Sequence, residues 1–143
     1  IGPKESRIEV ITTASQIPDD VGANYLAAFA KFGYENVGHL RIRNREDAQR
    51  AEVVQRVKDC DGLMFSGGNQ LRLSSIFGGT EVLDILHERY QNEAFVIGGT
   101  SAGAMAMSNT MIYEGNAAFA HLKGEVKITT GLAFMKGVII DSH

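Results

Sequence analysis

Tryptophan is missing from this chain of 143 residues, proline occurs twice and cysteine once. A single cysteine, Cys60, excludes any disulfide within the chain, so stability has to come from a packed core. Its setting, Val57-Lys58-Asp59-Cys60-Asp61-Gly62, reads as structural, and the lack of paired cysteines fits a reducing, cytoplasmic compartment. Long apolar runs are missing too. None approaches the roughly 20 residues of a membrane span, and no signal-peptide pattern opens the chain. Positive charge is not in excess: Lys+Arg 14 against Asp+Glu 17 gives a net charge of −3, which leaves nucleic-acid binding without electrostatic support. No His, Cys, Asp or Glu cluster has metal-ligand spacing, and neither a Gly-x-x-x-x-Gly-Lys-Ser/Thr nor a Gly-x-Gly-x-x-Gly motif occurs. No metal and no other cofactor is therefore expected.

What the chain does have is a strand-like run that breaks into glycine and serine: Phe95-Val96-Ile97-Gly98-Gly99-Thr100-Ser101-Ala102-Gly103-Ala104-Met105. A buried strand, a Gly-x-Ser-x-Gly turn and a helix of small residues make the order of a nucleophile elbow, which lifts one serine hydroxyl above a sheet. The five-residue pattern alone is weak, since chance supplies it in roughly one of ten such sequences. A strand-to-helix turn whose serine only caps the helix is the alternative.

The rest of the chain gives that turn a setting. Arg7 to Ala14 alternates and is β-branched, as a strand should be; Asp19 or Asp20 can cap a helix on which Val21, Tyr25, Ala28, Phe29 and Phe32 recur, stopped by Gly33. Val37–Ile42 is a second strand, and Glu46–Asp59 a helix with Ala51, Val54 and Val57 inward. Gly62–Phe65 is a third strand, and Thr80 caps a helix carrying Val82, Leu83, Leu86 and Tyr90. The strand at Phe95–Ile97 is expected to be buried on both faces. Val126–Thr130 and Val138–Ile140 read as further strands. Alternating strands and helices imply a single α/β domain over 1–143, a three-layer sandwich with a mostly parallel, flavodoxin-like sheet. Sites in such sheets lie beyond the carboxyl ends of the strands. Gly67-Gly68-Asn69-Gln70, Thr100-Ser101-Ala102 and Asp141-Ser142-His143 all fall there.

A serine nucleophile needs a base. Of four histidines, His39 sits within a strand, His87 on a solvated helix face, and His121 in a loop after the elbow helix, a weaker candidate. His143, delivered by the Val138–Ile140 strand to the same edge as Ser101, is the expected general base. Oxyanion donors are expected from the N–H of Ala102 and of Gly68, although Gly67-Gly68-Asn69 also suits an ordinary turn or an anion-binding nest.

Val10-Ile11-Thr12-Thr13-Ala14-Ser15, Ser66-Gly67-Gly68-Asn69-Gln70-Leu71-Arg72-Leu73, Gly99-Thr100-Ser101-Ala102-Gly103-Ala104 with Met107-Ser108-Asn109-Thr110-Met111-Ile112, and Val138-Ile139-Ile140-Asp141-Ser142-His143 together resemble the serine peptidase family of cyanophycinase and, more distantly, dipeptidase E. The resemblance implies a fold like that of class I glutamine amidotransferases. It implies Ser101 as nucleophile, His143 as base, Gly68 and Ala102 as the oxyanion hole, and Asn69, Gln70 and Asp141 as substrate-binding residues. The implied reaction is exopeptidase cleavage of cyanophycin, multi-L-arginyl-poly-L-aspartate, to β-Asp-Arg dipeptides. An aspartyl dipeptidase, or a non-catalytic binding or scaffold domain of the same fold, is the alternative. Two residues depart from the family pattern: Asn69 stands where aspartate is more usual, and Ser142 where glutamine is. The resemblance also implies a fragment, lacking the family's first strand, the acidic partner of the histidine and an arginine-rich segment, and therefore inactive alone. The expected partner is a peptide or cyanophycin-like polymer, with neither nucleic acid nor membrane, and the sequence leaves a homodimer open.

Overall fold

A computed structural model describes residues 3–115 and 126–142. Strand β1, Ile8–Ile11, is buried along its whole length. Even Glu9 is buried; its carboxylate takes two hydrogen bonds from Arg56, at 3.0 and 2.6 Å, and an ion pair from Arg7 at 3.3 Å. A buried carboxylate is tolerable only when so paired.

Helix α1, Pro18–Lys31, starts differently from the sequence expectation. Ile17 is the capping residue and makes no side-chain cap bond, while Pro18 opens the first turn with Asp19 and Asp20 inside it. Proline's fixed φ suits that position, and the two carboxylates favour the helix N-terminus through its dipole rather than as caps. Gly33 ends the helix as expected, with φ 80° and its N–H donating to Ala30 O.

Strand β2 is Val37–Leu40. The expected helix over 46–59 is two helices: α2, Arg45–Ala48, capped by Asn44 through Asp47 N at 2.8 Å, and α3, Ala51–Asp59. Arg50 between them is extended, with ψ 133°, which turns α3 so that Val53, Val54 and Val57 face the core and Ala51 faces out. Strand β3 is Gly62–Phe65. Helix α4, Gln70–Phe77, is capped by Asn69 and buries Leu73, Ile76 and Phe77. Helix α5, Glu81–Asn92, starts from Thr80, as its sequence indicates. Strand β4, Val96–Gly99, leads into the short helix α6, Ala102–Met105. Strands β5, Thr110–Gly115, and β6, Val126–Thr130, follow.

The main sheet has order β2-β1-β3-β4 and is wholly parallel. Register places Val10 beside His39 and Glu9 beside Gly38, so the two sheet faces are distinct. The face with His39 receives α1, and the face with Glu9 receives α3, α5 and α6. Phe65 and Phe77 meet edge to face at 5.8 Å in that second layer, with Leu73, Val82 and Leu86 fully buried beside them. The three-layer α/β architecture follows.

Two expectations are corrected. Strand β4 is the edge of the four-stranded sheet among the described residues, so Val96 is 42% exposed rather than buried on both faces. Strand β6 forms where its sequence indicates, and pairs antiparallel with β5 in a separate ribbon, from Thr110 opposite Thr130 to Gly115 opposite Val126. Val138–Ile140 forms no strand, leaving Val138 and Ile139 about half exposed. Its backbone is held instead by a side chain, Ile140 N donating to Ser108 Oγ at 3.2 Å.

Candidate active site

The ladder of the sheet runs straight into the loops beyond it. Ser66 N donates to Ile11 O at 2.9 Å and Thr100 N to Phe65 O at 3.1 Å, so the segments after β1, β3 and β4 leave the same edge in register. The chain then reverses at Ser101, whose φ of 48° and ψ of −117° lie where residues with a Cβ are rarely found. Such a conformation costs on the order of 1–3 kcal/mol and persists only where the surroundings impose it. Here Gly103 N bonds Thr100 O and Met105 N bonds Ser101 O, both at 2.9 Å. Gly99 and Gly103 let strand and helix touch: a Cβ on Gly99 would sit 2.5 Å from Gly103 C, and one on Gly103 would overlap the Phe65 carbonyl. The outcome is an exposed Ser101 followed by a buried Ala102.

The loop after β3 lies alongside. A Cβ on Gly67 would be 3.4 Å from Ser101 Cβ, which makes the two residues direct neighbours. Gly68 has φ 140° and presses on the loop after β1, where a side chain would overlap Ala14 O. Asn69 N donates to Ala14 O and Arg72 Nε to Thr13 O, each at 2.9 Å, locking the two loops together.

The other candidate residues are placed less simply. Asn69 Oδ1 accepts from Leu71 N at 2.9 Å, so its side chain caps α4. Gln70 Nε2 donates to Ile112 O at 3.0 Å and ties α4 to β5. Asp141 is exposed, and beside it Ser142 Oγ reaches Met105 Sδ on α6 at 3.3 Å. The last described residues therefore run along the helix that follows Ser101, without the strand that was expected to carry them. His143 and His121 lie outside the described residues.

The remaining histidines and the cysteine have structural partners. His39 Nε2 shares a 2.7 Å hydrogen bond with Thr12 Oγ1, and burial, reinforced by Arg41, pulls its pKa below the usual 6.5. His87 is half-buried rather than on a solvated face: Nε2 donates to Leu132 O at 2.6 Å and the ring meets Phe134 edge-on. Cys60 is buried, and burial pushes its thiol up to about 11, which keeps it protonated and inert. Among the described residues no group of His, Cys, Asp or Glu could hold a metal ion, and no helix is long and apolar enough to cross a membrane.

One contact at this edge has no local sequence signal. Tyr25, read from its spacing as an inner-face residue of α1, places its hydroxyl 2.5 Å from Thr100 Oγ1, across 75 positions of sequence.

Comparison with known proteins bears on the family and the fold. The family model described as peptidase family S51 matches residues 2–143. Cyanophycinase of Nostoc sp. (strain PCC 7120) is 34% identical over 142 residues, and that of Synechococcus elongatus 35%. Each alignment covers 99% of this chain but 48% and 44% of the relative, so the chain spans about half the length of the curated relatives it matches. Among solved structures, a peptidase from an acI-B1 actinobacterium superposes with a TM-score of 0.66 at 25% identity, over 89% of this chain and 51% of that one. A putative peptidase E protein from Listeria monocytogenes gives 0.63 at 20% identity, over 94% and 66%, and so shares the fold.

Proposed function

Since the chain belongs to peptidase family S51, we propose that it carries the nucleophile of a serine exopeptidase that hydrolyses cyanophycin to β-Asp-Arg dipeptides. The observation that carries this reading is the Ser101 backbone: a strained, exposed serine at the carboxyl edge of a parallel sheet, wedged between a strand and a helix.

In this reading Ser101 Oγ attacks the scissile carbonyl carbon while its proton passes to the imidazole of His143. The tetrahedral oxyanion is met by the N–H groups of Ala102 and Gly68, dipoles fixed before the reaction begins. Collapse breaks the C–N bond, and the imidazolium returns its proton to the leaving amine. Water, deprotonated by the same imidazole, then releases the acyl group and restores Ser101. Gln70, Asn69 and Asp141 line the substrate side, where a carboxylate at 141 suits a guanidinium or ammonium group. For Asn69 and Gln70 the contribution is mainly through fixed backbone, because both side chains are already bonded within the protein.

The test is made on the full-length protein. A fluorophosphonate is expected to label wild type at Ser101. Ser101→Ala should abolish labelling and lower β-Asp-Arg release from cyanophycin at least about a thousandfold, with the folded state retained. Faster cleavage of α-aspartyl dipeptides than of cyanophycin would assign the aspartyl dipeptidase reading instead. A folded wild type that neither labels nor cleaves either substrate would leave a binding domain.

A further inference from the structure

The turn at Ser101 is secured from two sides of the sheet. From the α5 and α6 layer come the backbone bonds Gly103 N to Thr100 O and Met105 N to Ser101 O, and from the sheet itself Thr100 N to Phe65 O. From the opposite layer comes one side chain, Tyr25 of α1, whose hydroxyl meets Thr100 Oγ1 at 2.5 Å. Thr100 immediately precedes the strained residue. As a β-branched side chain it has few χ1 states, so a bond on Oγ1 fixes its rotamer and restrains the backbone that enters the turn.

Tyr25 can do this only if α1 is itself held in place, and it is. Gly22 lies one helical turn before Tyr25, on the same face. It packs flush on the imidazole of His39, where any Cβ would come within 2.5 Å of Nδ1. His39 in turn is bonded to Thr12 at the end of β1. A continuous series of contacts therefore runs from β1 and β2 through His39 and Gly22 to Tyr25, Thr100 and Ser101.

We propose that Tyr25 is a positioning residue, holding the Ser101 turn in its reactive geometry through the hydroxyl of Thr100. The proposal rests on the reading of Ser101 as nucleophile for its kinetic consequence, and on the hydrogen bond alone for its structural one. Tyr25→Phe removes one hydroxyl and keeps the ring. Thr100 is exposed and water competes for its hydroxyl, so the bond is worth the low end of the usual range, about twofold to threefold.

In the full-length protein, Tyr25→Phe and Thr100→Val should each lower kcat on cyanophycin, and the rate of fluorophosphonate labelling, by that factor, with KM within about twofold of wild type. The double variant should lose no more than either single one. Thr100→Ser, which keeps the hydroxyl and gives up the β-branch, should lose less than Thr100→Val. Amide hydrogen exchange across residues 99–103 should quicken by a similar factor in Tyr25→Phe and by less in Thr100→Ser. Unchanged exchange in Tyr25→Phe, or additive losses in the double variant, overturns the proposal. If the folded wild type neither turns over substrate nor labels, the peptidase reading fails, and exchange and its dependence on the two hydroxyls still decide the role of Tyr25.

Discussion

At the carboxyl end of β3, Asn69 turns its side chain back on its own helix, with Oδ1 accepting from Leu71 N. The family resemblance implies a substrate-binding role for this residue, and the structure shows what else the position requires. An N-cap needs a short acceptor, which asparagine and aspartate both supply. Asn69→Ala should therefore destabilise the fold by about 1 kcal/mol, whereas Asn69→Asp should be nearly neutral. Chemical denaturation of the two variants checks this, and equal losses would show that the cap contributes little. An aspartate at this point would thus preserve the helix start, and any difference it makes to substrate preference is separable from folding. Gln70 makes a similar point, since its carboxamide binds Ile112 O, more than forty positions away, a partner that no local pattern announces.

For α1 the decisive feature is its seat. Gly22 is its one buried residue, and most of its remaining apolar side chains are only partly covered. Its fit therefore depends on the His39 ring staying where it is. Burial, with Arg41 nearby, lowers the His39 pKa, against weaker opposition from Asp19 and Glu9. The folded protein then binds this proton less readily than the unfolded chain does. Stability from this source is full above about pH 6.5 and declines as pH falls from there toward the folded-state pKa. Denaturant titrations at pH 8, 6.5 and 5 should show a steeper loss in wild type than in His39→Gln, and parallel losses would contradict the linkage. The existence of α1, its stop at Gly33 and the role of Thr80 were legible in the sequence, because each rests on residues within one or two turns. The break between α2 and α3 was not, because Glu46–Asp59 keeps a helical charge pattern straight through it. The run is interrupted at Arg50, whose extended backbone separates the end of α2 from the start of α3.

Over the whole molecule, alternation of strand and helix made the parallel sheet legible, and with it the meeting of the loops after β3 and β4 at one edge. Strand partners were harder. An apolar run such as Val138–Ile140 looks like a strand wherever it sits, and only tertiary contacts reveal that its backbone answers to Ser108. Val126–Thr130 is a strand, yet nothing in its residues distinguishes a parallel neighbour from the antiparallel β5. The position of β4 at the sheet edge has a measurable consequence. Val96 is well exposed beside Gly62, Gly98 and Met64 on the face that α1 leaves open. An exposed apolar edge of this kind templates association. A polypeptide of these 143 residues alone should self-associate in sedimentation experiments, and Val96→Lys should shift it toward monomer. A wild-type polypeptide that stays monomeric at high concentration would count against that edge as the contact.

The positive φ at Ser101 also has a consequence for how this sequence can drift. Glycine would occupy that backbone without strain, so Ser101→Gly should raise stability by roughly 1 kcal/mol while removing the hydroxyl. Selection for folding alone and selection for chemistry thus pull this one position in opposite directions. A thermal melt of Ser101→Gly measures the first pull directly, and an unchanged or lowered melting temperature would show that the turn is unstrained. In a lineage released from the need to cleave peptides, position 101 is where glycine should appear early.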